Sequence, residues 1–172
     1  YMGNHLTPED LKSLPPYIIR TGVFVDESCE EILRIAKLYG LNGVQLHGSE
    51  SPETCKVIGR AGYPVLKAFR IDDDFSFEQT EAYSLSCRFL VFDAFGTGFG
   101  GNGIRFNWEK LKSYKGKTEF LLSGGIDAGD VVALKKLRHP RLAGFDINSK
   151  FEIKPGEKDV AKVKRFIAKL RS

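Results

Sequence analysis

Asp93 closes an apolar run, Phe89-Leu90-Val91-Phe92, and five glycines (Gly96, Gly98, Gly100, Gly101 and Gly103) follow it before Trp108. A carboxylate carried to the end of a buried strand and set beside a glycine-rich loop has the placement of a general acid or base in α/β proteins. The alternative is an aspartate that tethers a turn. Five other apolar runs also end on polar residues: Asp26 and Glu27, His47, Arg70, Ser123-Gly124-Gly125, and Asp146-Ile147-Asn148-Ser149. If one face gathers them, they form a polar rim around an apolar centre, which suits a small anionic metabolite. Gly124 and Gly125, ahead of Asp127, let backbone N–H groups approach an anion closely. Asn148 and Ser149 add donors, and Lys150 adds a charge. Loops at these positions in barrel enzymes often hold a phosphate, and the alternative is a tight glycine turn without a ligand.

The remaining polar residues have two readings each. His47 either touches substrate or is a hydrogen-bonded structural histidine, and Arg70 either attracts an anion or sits in a surface ion pair. An ordinary aspartate, with a pKa of ~3.9, is a poor acid at neutral pH, so a general acid at Asp93 calls for desolvation or nearby negative charge. Phe92, Phe95 and Phe99 are the neighbours expected to desolvate it. Trp108 is expected to pack its helix against the barrel.

The elements that must position these residues repeat. The strand-like runs are Ile18–Val25, Gly43–His47, Val65–Arg70, Phe89–Asp93, Glu119–Ser123 and Leu142–Ile147, starting 25, 22, 24, 30 and 23 residues apart. Near-continuous apolar strands alternating with helical patterns predict a parallel sheet covered by helices. Ser28-Cys29-Glu30-Glu31 reads as a capping box, with Gly40 as the helix stop. Ser51-Pro52-Glu53, Asn107 and Asp127 open further helices, and Thr7-Pro8-Glu9-Asp10 opens a short one that ends before Pro15-Pro16. In the last helix Val160, Val163, Phe166, Ile167 and Leu170 are predicted to face inward. A repeat near 25 residues with no dinucleotide-binding GxGxxG after the first strand favours a (β/α)8 TIM barrel within a single domain, of which six β-α units are present.

Composition narrows the class. The chain has 172 residues, 42% hydrophobic and 28% charged, with a net charge of +4, as expected of an ordinary globular domain. Scattered basic residues argue against nucleic acid as a partner. The three cysteines lie far apart without a Cys-x-x-Cys pair, which argues against disulfides and zinc and for a reducing, cytoplasmic setting. No apolar run reaches the ~20 residues needed to cross a membrane, and no secretory signal opens the chain.

Five segments in order, GVFVDES, VQLHGSESPE, FDAFGTGFGGNGIRFNW, FLLSGGID and FDINSKFEIKPGEKD, resemble the phosphoribosylanthranilate isomerases of tryptophan biosynthesis over nearly the whole chain. The resemblance implies a (β/α)8 barrel, six of whose eight units, strands three to eight, are present here. It implies a phosphorylated small-molecule substrate, no metal or organic cofactor, and a monomer or homodimer. The reaction is an Amadori rearrangement of N-(5-phosphoribosyl)anthranilate to 1-(2-carboxyphenylamino)-1-deoxyribulose 5-phosphate. In it Asp93 matches the acid that protonates the furanose oxygen and opens the ring to a Schiff base, before a base removes the proton at ribose carbon 2. Gly124, Gly125 and Ser149 match the phosphate site, with Asn148 beside them, and Asp146 matches an aspartate near the ribose and amino group. The glycine loop, including Gly100 and Gly101, is expected to cover the substrate, while His47 and Arg70 are further candidate contacts.

The pattern also departs from the family. The family's base is a Cys in a K-(I/V)-C-G segment, which has no counterpart here, and Tyr1 matches the residue after an arginine that receives the anthranilate carboxylate. By the length of one β-α unit, the chain is expected to begin roughly 35 residues into the family pattern. Asn102, Asn148 and Lys150 stand where other residues are usual and are expected to retune phosphate binding. Two alternatives follow: a non-catalytic phosphate-binding remnant, or another phosphosugar barrel enzyme.

Overall fold

The computed structural model describes residues 6–94 and 107–172. Six strands form one parallel sheet in chain order: β1 (Thr21–Phe24), β2 (Gly43–Leu46), β3 (Val65–Ile71), β4 (Phe89–Ala94), β5 (Phe120–Ser123) and β6 (Leu142–Phe145). Each neighbouring pair is parallel. All six lie within the apolar runs or overrun them by one residue, because those runs can bury both faces. A short antiparallel pair, β7 (Glu152–Lys154) and β8 (Glu157–Lys158), follows the sheet.

The α-helices are α1 (Pro8–Lys12), α2 (Cys29–Leu38), α3 (Pro52–Arg60), α4 (Val131–Lys136) and α5 (Val160–Arg171). Thr7 and Asp10 close a reciprocal capping box on α1. At α2 only half of the expected box forms. Ser28 accepts from the Glu31 N–H, but Glu31 turns to a bidentate pair with Arg34, and Glu27 takes the Ser28 N–H. Gly40, at φ +58°, ends α2 with a pair of bonds, from the Leu41 N–H to the Ala36 carbonyl and from the Gly40 N–H to the Lys37 carbonyl, a Schellman motif. Where β3 and β4 lead to their crossovers, 3-10 turns replace full helices, at Phe77–Tyr83 and Trp108–Ser113. Asn107 caps the second of these, and Asp127 caps a 3-10 turn that runs into α4. In α5 Phe166 is buried and Val163 and Leu170 pack on the core, but Val160 and Ile167 lie exposed. Their positions fall at the margin of the apolar stripe, where the helix turns towards solvent.

The two faces of the sheet differ. Leu46, Leu90, Phe92, Phe120 and Leu122 point towards the helices. One buried cluster joins β1–β3 to α2 and α3, and a second joins β3–β6 to the 3-10 turns, α4 and α5. On the other face parallel pairing stacks side chains in levels. Gln45, Leu66 and Phe89 share one, Ala68, Val91 and Leu121 the next, and Arg70, Asp93 and Ser123 the last. That last level is the carboxyl end of the sheet.

Candidate active site

The last level sets Asp93 between Arg70 and Ser123. His47 follows β2, its N–H bonded to the Phe24 carbonyl at 2.8 Å. Its ring reaches across β3 so that Nε2 stands 3.3 Å from Asp93 Oδ2. Gln45 donates its amide to His47 Nδ1 at 3.4 Å, an arrangement that leaves the ring proton on Nε2, facing the carboxylate. Both side chains are 24% exposed, open enough to meet a ligand and too enclosed to be surface decoration. Asp146 follows β6, and Ser123 Oγ donates to its Oδ2 at 3.0 Å. Burial raises the Asp146 carboxyl above the usual range, and the negative charge of Asp93 raises it further, against lowering by the Ser123 bond, His47 and Lys158. Asp93, His47, Ser123 and Asp146 therefore form one electrostatic unit.

Phe92 does not serve as the expected desolvating neighbour of Asp93. It is fully buried on the opposite face, edge-on to Phe77 and Tyr114 and tilted against Phe120, since adjacent strand residues point opposite ways. Phe95, Phe99, Gly100, Gly101 and Asn102 lie outside the described residues. The desolvated carboxyl of the rim is that of Asp146.

Gly124 and Gly125 both have positive φ, +91° and +64°, a conformation that disfavours side chains. Ser149 opens a 3-10 turn, Ser149–Phe151, directly after Asn148. The Asn148 side-chain oxygen is already engaged by Lys158, which also pairs with Glu152, so only its amide remains to donate. Lys150 presents its carbonyl to Lys162, which also pairs with Asp127. Arg70 is exposed on the same level as Asp93. Trp108 packs on the larger cluster as expected.

The cysteines stand away from this rim. Cys29 begins α2, and Cys55 and Cys87 lie in or against the helix-side cluster of β1–β3. The bond between Cys87 and Cys55, together with burial, pushes the Cys87 thiol far up. Among the described residues no group of His, Cys, Asp and Glu is arranged to hold a metal ion, and no helix is long and apolar enough to cross a membrane.

Sequence reasoning missed a second cluster just beneath the rim. Lys67 and Glu50 are almost completely buried and pair at 3.2 Å. A lysine inside an apolar strand run was the available signal, because a buried ammonium must find partners.

Residues 8–169 match the family model of N-(5'phosphoribosyl)anthranilate (PRA) isomerase. The chain belongs to this family. The N-(5'-phosphoribosyl)anthranilate isomerase of Parabacteroides distasonis is 46% identical over 151 residues, covering 88% of this chain and 68% of that protein. The crystal structure of phosphoribosyl anthranilate isomerase from Thermotoga maritima superposes with a TM-score of 0.83 at 32% identity, over 97% of this chain and 82% of that one. A further phosphoribosyl anthranilate isomerase, in complex with reduced 1-(o-carboxyphenylamino)-1-deoxyribulose 5-phosphate, gives 0.79 at 30% identity, over 97% and 80%. The six parallel strands thus match phosphoribosylanthranilate isomerase barrels, and the carboxyl-end rim lies where barrel enzymes keep their sites.

Proposed function

We propose that the rim centred on Asp93 carries out the ring opening in the isomerisation of N-(5'-phosphoribosyl)anthranilate, the aldose-to-ketose step of tryptophan biosynthesis that defines the family. The observation that carries this reading is the contact between His47 Nε2 and Asp93 Oδ2, with the desolvated Asp146 beside it. His47 holds one carboxylate oxygen of Asp93 and leaves the other for the furanose oxygen. The proton for ring opening comes from Asp93 in its acid form. When Asp93 protonates the ring oxygen, the bond to the anomeric carbon breaks and the anilino nitrogen supplies electrons to form the Schiff base. Loss of the proton at ribose carbon 2 then gives the enolamine, which becomes the ketone. That abstraction is assigned to no residue of this chain.

The phosphate is assigned to the loop of Gly124 and Gly125 with the Ser149 turn. Parallel pairing of β5 with β6 brings the two loops side by side, and positive φ at both glycines supports exposed N–H groups. The six strands correspond in this proposal to strands three to eight of a (β/α)8 barrel.

Asp93→Asn keeps the shape and removes the acid. Turnover, followed as loss of the substrate's anthranilate fluorescence, is expected to fall by about 100-fold to about 10,000-fold, the usual contribution of a general acid. A rate near that of the unaltered protein would overturn the assignment.

A further inference from the structure

Lys67 shares its level in the sheet with Leu46 and Leu90, on the face that the helices cover. An ammonium group there has to be held by fixed partners. Its Nζ donates to the carbonyls of Gly48 at 2.8 Å, Ala68 at 2.9 Å and Leu46 at 3.4 Å, and meets Glu50 Oε2 at 3.2 Å. Leu46 and Gly48 are the residues on either side of His47. The ammonium therefore grips the backbone both before and after the histidine.

Glu50 completes the clamp from the other side. Its carboxylate accepts the Gly48 N–H at 2.9 and 3.1 Å and the Asp26 N–H at 2.9 Å. Asp26 Oδ1 in turn accepts the Ser49 N–H at 2.6 Å, and Tyr83 donates to the Glu50 carbonyl at 3.0 Å. Asp26 adopts φ +52°, rare for a residue with a side chain. A Cβ on Gly48 would stand 2.4 Å from Asp26 Oδ1 and 2.7 Å from its backbone nitrogen. The loops after β1 and β2 are thus locked together around one buried ion pair, and His47 is the residue at their centre that faces the rim.

We infer that Glu50 and Lys67 are positioning residues that fix the His47 backbone so that its ring reaches Asp93. This rests on the proposed role of the Asp93 rim. Each acts through the peptide groups flanking His47. A displacement of about 1 Å at a reacting pair can lower a rate by as much as about a hundredfold, so a clamp of this kind governs kcat more than KM.

The test uses Glu50→Gln, which removes the charge and keeps the shape, and Glu50→Asp, which keeps the charge and shortens the arm. Glu53→Gln, in an exposed ion pair with Lys56 on α3, is the control. In folded protein, kcat is expected to drop by about tenfold to about a hundredfold in both Glu50 variants while KM moves much less, and Glu53→Gln stays unchanged. The His47 ring resonances in nitrogen-correlated spectra, recorded without substrate, are expected to shift in the Glu50 variants alone. Those resonances report the clamp even if the isomerase reading fails, and an inactive unaltered protein would count against that reading only. Folded Glu50 variants with unaltered His47 resonances would overturn the inference. Shifted resonances with an unaltered kcat would overturn it as well.

Discussion

Asp146 shows how a single carboxyl records the character of the rim. Its protonated form is favoured in the fold, chiefly by burial and then by the charge of Asp93. A carboxyl raised in this way adds stability below its unfolded pKa and loses that contribution as pH rises through the folded value. At neutral pH the ionised group is therefore a liability. Asp146→Asn removes the charge, and the amide oxygen can still accept from Ser123. The variant is expected to melt at a higher temperature than the unaltered protein at pH 7. The gain should shrink in melting curves taken through the acid range, where Asp146 itself becomes protonated. A constant difference at all pH values would contradict the electrostatic account.

At the scale of elements, the loops after β2 and β5 are set by glycines that do different work. Gly48 is small because Asp26 lies against it, whereas Gly125 is needed for its backbone angle. Gly125→Ala places a side chain in the left-handed region at a cost of about 1–2 kcal/mol. Binding of a phosphorylated product analogue, measured by titration calorimetry, is expected to weaken by roughly tenfold if the loop distorts by that much. Unchanged affinity would remove this loop from the phosphate site. The six strands were legible because their apolar runs are long and evenly spaced, α1, α2 and α3 because Thr7, Ser28 and Ser51 act as caps, and α5 because of its apolar stripe. The 3-10 turns at Phe77–Tyr83 and Trp108–Ser113 were not, since their apolar residues settle on the core without a sustained helical period. Asp93 was legible from its place at a strand end. The Lys67–Glu50 pair was not, because its partners are backbone carbonyls and N–H groups that only the packed loops bring together.

For the molecule as a whole, two helix-side clusters share one sheet, and Tyr83 and Cys87 pack against both. Ile58 is fully buried in one and Phe92 in the other. Ile58→Ala is expected to destabilise by about 2–5 kcal/mol and Phe92→Ala by about 3–5 kcal/mol. In urea unfolding followed by both circular dichroism and tryptophan fluorescence, each variant should lower a single shared midpoint. Separate midpoints for the two probes would mean that the clusters unfold independently. The buried ion pair bears on this unity in another way. Side chains alternate along a strand, so a one-residue slip of β3 against β2 would turn Lys67 to the opposite face and leave Glu50 enclosed without its cation. An unpaired buried charge costs about 3–5 kcal/mol, a large share of a domain's net stability. The same pair that steadies His47 thereby works as a proofreading device for strand alignment, admitting the correct pairing and rejecting its nearest error.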